Sequence, residues 1–306
     1  MIMMSNSTYH IPVLLKECIE NLNMKPDGVY VDVTFGGGGH SKAMLDQLNA
    51  NGKLFAFDQD ADALKNKIDD PRFTLIPQNF RFIKNYLKLN GIKQVDGILG
   101  DLGVSSHQFD SAERGFSIRF DSDLDMRMNQ KSDLTAKKIV NTYSEEKLIA
   151  IFKEYGEITN SKKVASLICQ HRLDSPIETT GQLKDITSSC HSKFEEHKFL
   201  AKLFQALRIE VNQEMEALKE CLNDCVNLLK PGAHLVVISY HSLEDRLVKN
   251  LIRSGNSEGI EERDVIYGST KKVFKNLTSK PILPDAAELE RNSRARSAKL
   301  RVGEKI

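Results

Sequence analysis

The amino-acid sequence predicts an α/β fold in which a largely parallel sheet is interrupted by an inserted all-helical domain. Short apolar runs alternate with amphipathic helical patterns through the first third of the chain, and the alternation returns near the C-terminus. Between these parts, from Thr135 to about Phe204, only helical patterns occur. Because alternating strands and helices are typical of a parallel sheet covered by helices, both ends of the chain are expected to build one domain.

The elements of the first part are predicted from apolar runs and from helical spacing. Runs rich in valine and aromatic residues, such as VYVDVTF at 29–35 and KLFAFD at 53–58, indicate buried strands. In chain order the predicted elements are strand 29–35, helix 41–48, strand 53–58, helix 61–68, strand 72–77, helix 80–91 and strand 95–102. A strand at 234–240 and a helix at 242–252 resume the pattern.

The predicted insertion follows the fourth strand. Residues 104–125 are polar and loop-like, and helices are predicted at 145–156 and 161–172. Residues 198–229 keep apolar side chains at helical spacing until the Lys-Pro-Gly sequence at 230–232, which is typical of a helix end. The predicted segments are a first domain part at 1–109, a helical insertion for substrate recognition at 110–207, and a second domain part at 208–306.

The composition is that of an ordinary soluble protein and excludes several classes. Hydrophobic residues make up 40% and charged residues 28% of the chain, and the formal net charge is +1, so any site for a polyanion must be a local patch. No apolar run of the sequence approaches the roughly 20 residues of a membrane span. The five cysteines are scattered and form no zinc-binding set, which predicts buried, reduced thiols in a cytoplasmic protein without a metal site.

Four consecutive glycines follow the first predicted strand, in the segment FGGGGHSK at 35–42. Their spacing fits neither the dinucleotide pattern G-x-G-x-x-G nor the phosphate-binding pattern G-x-x-x-x-G-K-[ST]. It fits D-x-x-x-G-x-G, from Asp32 to Gly38, the first motif of class I S-adenosylmethionine (SAM) methyltransferases. Asp58 lies at roughly the 20-residue distance from the glycines that is typical of a ribose-binding acid. A tight turn without a ligand is the alternative, and Asp32 could anchor the loop or bind the ammonium group of the cofactor.

A further acidic candidate, Asp101, lies at the end of the fourth predicted strand. Ligands of open α/β sheets bind beyond the carboxyl ends of the strands. This carboxylate could therefore accept a hydrogen bond from an amino group of the cofactor or of a target base, or it could only cap the next loop. His241 follows the strand after the insertion and could face the substrate or cap the helix that begins at Ser242.

Eight segments of the sequence strongly resemble the RsmH family, formerly MraW, of SAM-dependent methyltransferases of small-subunit ribosomal RNA. In unchanged order they are TYHIPVLLKECIENL (8–22), TFGGGGHS (34–41), DLGVSSHQFD (101–110), ERGFS (113–117), LDMRM (124–128), AKLFQALRIEVN (201–212), SYHSLEDRLVK (239–249) and NSRARSAKLR (292–301). The resemblance implies a class I, Rossmann-like SAM methyltransferase domain that carries a helical insertion.

The resemblance also implies a cofactor, a reaction and a set of site residues. The reaction is methylation by SAM of the exocyclic N4 of a cytidine in the decoding region of 16S rRNA, within the small ribosomal subunit. No membrane partner is implied, and a homodimer is left open. The residues implied to bind SAM are Gly38, Gly39, His40, Asp58, Phe80, Asp101 and Gln108. Asp58 would bind the ribose hydroxyls, Phe80 would lie near the adenine, and Asp101 is also the catalytic candidate.

Two groups of basic residues could contact RNA phosphates. The first group is the C-terminal cluster of Arg291, Arg294, Arg296, Lys299 and Arg301. The second lies on a helical face of the insertion and contains Lys162, Lys163, His171 and Arg172. We expect the second group to be a solvated helix face and the first to be the RNA contact.

Overall fold

The computed structural model describes residues 12–261 and 272–306. The chain forms two compact units, each with its own core. The first unit comprises Met1–Gly103 and Met215–Ile306, and the second comprises Val104–Glu214. The second unit includes the predicted insertion at 110–207 and extends beyond it at both ends.

The first unit is built on a sheet whose seven strands lie in the order β3-β2-β1-β4-β5-β7-β6. The strands are β1 (Val29–Asp32), β2 (Lys53–Phe57), β3 (Phe73–Ile76), β4 (Val95–Asp101), β5 (Leu229–Ser239), β6 (Phe274–Asn276) and β7 (Lys299–Lys305). Neighbours from β3 to β5 are parallel, and β7 is antiparallel to both β5 and β6. The predicted α/β class with a largely parallel sheet is confirmed. The strand order reverses between β1 and β4, so their carboxyl ends flank the point where ligands of such sheets bind.

Helices cover the sheet and make up the regular structure of the second unit. In chain order they are α1 (Leu15–Leu22), α2 (Gly39–Leu45), α3 (Ile83–Leu89), α4 (Ser106–Asp110), α5 (Ala136–Thr142), α6 (Glu145–Glu154), α7 (Ser161–Asp174), α8 (Thr180–Thr187), α9 (Glu196–Asn212), α10 (Glu214–Leu228), α11 (Ser242–Ser254) and α12 (Ala286–Arg291). Helices α4 to α9 belong to the second unit, and α10 begins at its last residue.

Each unit has a separate apolar core. In the first, Tyr30, Leu54 and Leu99 of the central strands are fully buried among side chains of α1 and α2 such as Leu22 and Met44. In the second, the core is made mainly by α5 to α9, whose residues at helical spacing face one another, and loop residues such as Phe116 and Leu124 add to it. Representative members of that core are Ile139, Phe152, Val164, Leu183 and Leu203. Burial of such side chains stabilises a fold by about 1.5–3 kcal/mol each.

The helical pattern at 198–229 is divided in the structure, and the sequence shows no sign of the division. Helix α9 ends at Asn212, and Gln213 adopts a left-handed conformation with φ of 50°. Its N–H bonds to the carbonyl of Glu210, while Arg208 pairs with Glu214 across the break at 2.9 Å. These local bonds stabilise a turn where neither proline nor glycine is present, so apolar spacing continues past the end of α9.

The helix predicted at 61–68 is wrong, since only a single 3-10 turn forms at Ala63–Asn66. Carboxylates compete with helical hydrogen bonds in this segment. Asp58 accepts the N–H of Asp60 at 2.8 Å, and Asp60 accepts the N–H of Asp62 at 3.0 Å. The carboxylates hold Asp58 to Asp62 in local turns, and the chain becomes extended at Lys67, so no longer helix forms.

The five cysteines are free thiols, and the expectation that all are buried is only partly right. Cys18, Cys221 and Cys225 are buried, whereas Cys169 and Cys190 are half-buried. Within the described ranges, no helix is both long and apolar enough to cross a membrane.

Candidate active site

Asp32 fixes the loop that contains the glycines. It is the last residue of β1, and only 1% of it is exposed. One carboxylate oxygen accepts the hydroxyl of Ser41 at 2.6 Å, and the other accepts the N–H of Thr34 at 3.0 Å. Burial raises the pKa of Asp32, and these hydrogen bonds lower it. Of the two roles considered for Asp32, the structure supports that of loop anchor.

The glycines of this loop serve different purposes. Gly36 and Gly38 adopt left-handed conformations, with φ of +51° and +77°, which side-chain-bearing residues rarely adopt. A Cβ on Gly39 would lie 2.3 Å from Cγ of Pro12, so Gly39 permits close packing against the N-terminal segment. A Cβ on Gly37 would meet nothing within 4 Å. The main chain around Gly37 is therefore the open part of the loop, where a ligand could approach the backbone.

Asp58 follows β2 and is joined directly to the glycine loop. Its Oδ2 accepts the N–H of Gly36 at 2.8 Å, and its Oδ1 accepts the N–H of Asp60 at 2.8 Å. Burial raises the pKa of Asp58 to about 6, against the opposing effect of the two N–H bonds. Each oxygen keeps a second lone pair. A rigid acceptor of this kind fits the two hydroxyls of a ribose.

Phe80 begins the 3-10 turn Phe80–Phe82, which follows β3, and it is half-buried. The turn is capped by Asn79, whose Oδ1 accepts the N–H of Arg81 at 2.9 Å. The amide of Asn79 also donates to Gln59 at 3.1 Å, and this bond links the loop after β3 to the loop after β2. The structure thus brings Phe80 and Asp58 to the same edge of the sheet, as an apolar ring and an acid.

His40 is buried on α2, with 6% of its surface exposed. Its Nε2 lies 3.0 Å from the carbonyl of Val13, and its Nδ1 lies 3.9 Å from Oδ2 of Asp101. Only a protonated Nε2 can bond to a carbonyl, which leaves Nδ1 on the side of the carboxylate. The structure therefore places His40 between the N-terminal segment and Asp101, and its contact with the methionine end of SAM stays a prediction.

Asp101 is the last residue of β4, whereas Asp32 is the last residue of β1. Both lie where the strand order reverses, which is the switch point of the sheet. Its N–H donates to the hydroxyl of Thr34 at 2.6 Å, and its Oδ1 accepts the hydroxyl of Tyr240 at 2.7 Å. Its side chain is 18% exposed. Burial raises the pKa of Asp101 to about 6, whereas His40 and the bond from Tyr240 lower it. At neutral pH this carboxyl is therefore mostly ionised and able to accept a hydrogen bond.

Two side chains of this site were not singled out from the sequence, Thr34 and Tyr240. Thr34 lies two residues beyond β1, and Tyr240 directly follows β5. Both could have been found by applying the strand-end rule to every parallel strand rather than to acidic residues alone. His241, which was considered, is the N-cap of α11, with its Nδ1 accepting the N–H of Glu244 at 3.4 Å. The helix-capping role of His241 is confirmed.

Known proteins with similar sequences identify the family of this chain. The sequence profile described as the MraW methylase family matches residues 7–306. The chain belongs to the MraW methylase family. It is similar to "Ribosomal RNA small subunit methyltransferase H" of Bacteroides thetaiotaomicron, with 56% identity over 97% of this chain and 98% of that protein. The protein of the same name from Christiangramia forsetii is also 56% identical, over 99% of this chain and all of that protein.

Solved structures that are similar to this chain have low sequence identity to it. An rRNA methylase from Streptococcus thermophilus is 13% identical over 95% of this chain and 93% of that chain, with a TM-score of 0.40. Membership of the MraW methylase family makes the protein a methyltransferase, and its cofactor is SAM. The open main chain at Gly37 fits the charged methionine end of that cofactor. The acceptor Asp58 fits the ribose hydroxyls, and the ring of Phe80 fits the adenine.

Gln108 lies in the second unit. Its Oε1 accepts the N–H of Ser105 at 3.0 Å, and its own N–H donates to the hydroxyl of Ser105 at 3.3 Å. These two bonds form the capping box at the start of α4. The side chain is 5% exposed. Its predicted contact with SAM stays a prediction.

The C-terminal basic cluster is smaller than predicted. Arg301 is 7% exposed and pairs with Asp245 at 2.6 Å, so it is a structural residue and not a phosphate contact. Arg291 pairs with Glu288 at 2.9 Å. Arg291, Arg294 and Arg296 are exposed and Lys299 is half-buried, and their contact with RNA phosphates stays a prediction.

Proposed function

We propose that the protein transfers a methyl group from SAM to the exocyclic N4 of a cytidine in the decoding region of 16S rRNA, within the small ribosomal subunit. The observation that carries the proposal is the ionisable carboxylate of Asp101 at the switch point, with one oxygen tied to Tyr240 and the side chain partly exposed. The names of the relatives, which specify small-subunit ribosomal RNA, support the choice of substrate.

The cofactor would be held by the loops after the first three parallel strands. Asp58 would accept the ribose hydroxyls through its remaining lone pairs, because both of its oxygens are already oriented by backbone N–H groups. Phe80 would pack against the adenine. Gly38, Gly39 and His40 would border the methionine end. Gly39 would contact SAM through its main chain, and the direction in which a side chain would point is filled by Pro12.

SAM supplies an activated methyl group, so the protein has chiefly to align the amino group and to manage its protons. The lone pair of a cytidine N4 is delocalised into the ring, which makes this amine a poor nucleophile. Asp101 would accept a hydrogen bond from N4–H and thereby favour the geometry in which the lone pair can react. The N–C bond forms as the S–C bond breaks toward sulfur, and the surplus N4 proton passes to Asp101.

The RNA would be held by exposed cations such as Arg291, Arg294 and Arg296. Phosphate contacts of this kind make binding strongly dependent on salt. A base in structured RNA has to leave its stack before its amino group can reach a buried acceptor. We therefore expect the target cytidine to be turned out of its stack when the RNA is bound.

The test is methyl transfer from isotopically labelled SAM to undermethylated small ribosomal subunits, to naked 16S rRNA and to duplex DNA, followed by nucleoside mass spectrometry. N4-methylcytidine in the subunits or the rRNA is the expected result. Label found only in DNA would show that the substrate is DNA and not ribosomal RNA. Bound SAM without transfer to any of the three would contradict the proposal.

A further inference from the structure

We propose that Tyr240 is a positioning residue for methyl transfer, because its hydroxyl occupies one oxygen of Asp101 and leaves the other to receive the amino group of the substrate. The inference rests on the proposed function. It concerns a side chain that acts through Asp101 and not through contact with the substrate or with SAM.

The position of Tyr240 is determined by the sheet. Strand β5 is parallel to β4, with Ile238 paired to Asp101, so Tyr240 emerges two residues beyond that pair at the same edge. Its N–H donates to Oε2 of Glu244 at 2.8 Å, which joins it to the first turn of α11. A Cβ on Gly103 would lie 3.5 Å from the Tyr240 ring, so that glycine packs closely beside it.

The two oxygens of Asp101 have different surroundings. Oδ1 receives the Tyr240 hydroxyl at 2.7 Å, a distance typical of a strong bond to an ionised acceptor. Oδ2 lies 3.9 Å from Nδ1 of His40, beyond hydrogen-bond distance. No hydrogen bond to Oδ2 is found among the described residues. One oxygen is thus tied, and the other keeps its capacity to accept.

Several titratable groups face this carboxyl, each from a different element. They are Asp32 at the end of β1, His40 on α2, Cys18 on α1, Glu244 on α11 and Tyr240 after β5. Burial, followed by the charge of Asp101, raises the pKa of Tyr240 far above its ordinary value, so its hydroxyl stays protonated and always donates. Burial likewise holds the pKa of the Cys18 thiol well above its ordinary value, so Cys18 stays neutral.

These surroundings predict what the loss of the hydroxyl would do. A hydrogen bond to the charged form of an acid lowers its pKa, so its removal raises that pKa. In Tyr240→Phe, Asp101 should therefore titrate at higher pH than in the wild type, and its carboxylate should also turn more freely about its side-chain bond. Both effects reduce the fraction of Asp101 that is ionised and correctly oriented at neutral pH.

The experiment compares the wild type, Tyr240→Phe and the matched control Tyr30→Phe. Tyr30 is a fully buried tyrosine of the same unit, and its hydroxyl accepts the N–H of Lys25 at 2.6 Å instead of contacting an acid. We would measure kcat against pH on undermethylated subunits, the Kd of SAM, and the pH titration of the Asp101 carboxyl by 13C NMR, assigned with Asp101→Asn. The NMR titration needs no RNA.

In Tyr240→Phe we expect kcat at pH 7 to fall about tenfold or more, which corresponds to one hydrogen bond to a charged group. The acidic limb of the kcat profile and the NMR titration should move together to higher pH, with a smaller change in the Kd of SAM. Tyr30→Phe should leave the limb and the titration where they are in the wild type.

Three results would overturn the proposal. An unchanged kcat profile in Tyr240→Phe would show that the hydroxyl is not needed. A lower kcat with an unmoved limb and an unmoved titration would show a structural role only. If the wild type methylates no RNA although the NMR titration moves in Tyr240→Phe, the contact exists but the proposed function has failed, and the role assigned to Tyr240 fails with it.

Discussion

Two acidic strand ends of the same sheet, Asp58 after β2 and Asp101 at the end of β4, differ in how their oxygens are used. Burial raises the pKa of both to about 6. Both oxygens of Asp58 accept backbone N–H groups, so its orientation depends on the path of the main chain. Asp101 has one oxygen held by a side-chain hydroxyl. The difference indicates that Asp58 is a rigid acid for binding and that Asp101 is an acid able to exchange a proton.

The largest effect should come from Asp101→Asn, which removes the proton acceptor and keeps the shape. The amide oxygen can still accept the hydroxyl of Tyr240, so folding and SAM binding should be retained. We expect kcat to fall by about 10²- to 10⁴-fold, the range of general acid–base catalysis. Single-turnover transfer with saturating SAM measures this. A variant with kcat within threefold of the wild type, a margin of about 0.7 kcal/mol, would remove Asp101 from the chemistry.

The contrasting change is Asp58→Asn, which should act on binding. One of its two backbone donors would face an amide NH₂ group instead of an oxygen, and the ribose would lose a charged acceptor. We expect the Kd of SAM to rise about 10- to 100-fold, with a smaller change in kcat at saturation. Calorimetric titration of SAM is the measurement. Asp62→Asn, which removes a charge from the same loop, is the control and should change the Kd less than twofold, or by about 0.4 kcal/mol. Equal effects of the two variants would contradict the role of Asp58.

The glycine loop offers a matched pair of substitutions. Gly39→Ala places a Cβ 2.3 Å from Pro12 and should lower the free energy of unfolding by about 1–3 kcal/mol. In Gly37→Ala the added Cβ meets nothing within 4 Å, so the free energy of unfolding should change by less than about 0.5 kcal/mol. Chemical denaturation compares the two. Gly37→Ala should instead weaken SAM binding, and unaltered SAM affinity in that variant would show that the cofactor does not approach this part of the backbone.

The pH dependence of stability should separate the two acids again. The folded-state pKa of Asp101, about 6, lies above its unfolded value, so its contribution to stability is present at low pH and is lost as pH rises through 6. The asparagine of Asp101→Asn does not ionise, so this variant does not lose stability as pH rises through 6. It should be more stable than the wild type at pH 8, by about 1–3 kcal/mol, and the difference should vanish near pH 4. Asp58→Asn should gain less, because it leaves a backbone donor without its acceptor. Denaturation of both variants at the two pH values checks this, and a less stable Asp101→Asn at pH 8 would contradict it.

The fold was predictable because its signals are local. Alternating apolar runs and helical spacing gave the parallel sheet, and Asp32, Asp58 and Asp101 were recognised because strand ends are where such sheets bind ligands. The contacts between these residues were not predictable. A spacing rule relates Asp58 to the glycines but does not show that the N–H of Gly36 donates to it, and no spacing rule relates Tyr240 to Asp101, 139 residues away.

The errors have equally specific causes. Arg301 looked like one of five RNA-binding cations, but it is buried against Asp245, a partner 56 residues away in sequence. The turn at Gln213 is stabilised by the pairing of Arg208 with Glu214 and lacks the proline or glycine by which turns are recognised. In the first place a tertiary contact decided the outcome, and in the second a side-chain pair six residues apart did so.

The central claim is that the ionised carboxylate of Asp101 accepts the proton of the methylated amine. The most direct measurement is the single-turnover rate of methyl transfer to undermethylated small subunits as a function of pH, beside the 13C NMR titration of Asp101 in the same protein. We expect an acidic limb near pH 6 that coincides with the titration of Asp101 and is absent in Asp101→Asn. A limb that persists in Asp101→Asn, or a rate independent of pH through the titration of Asp101, would contradict it.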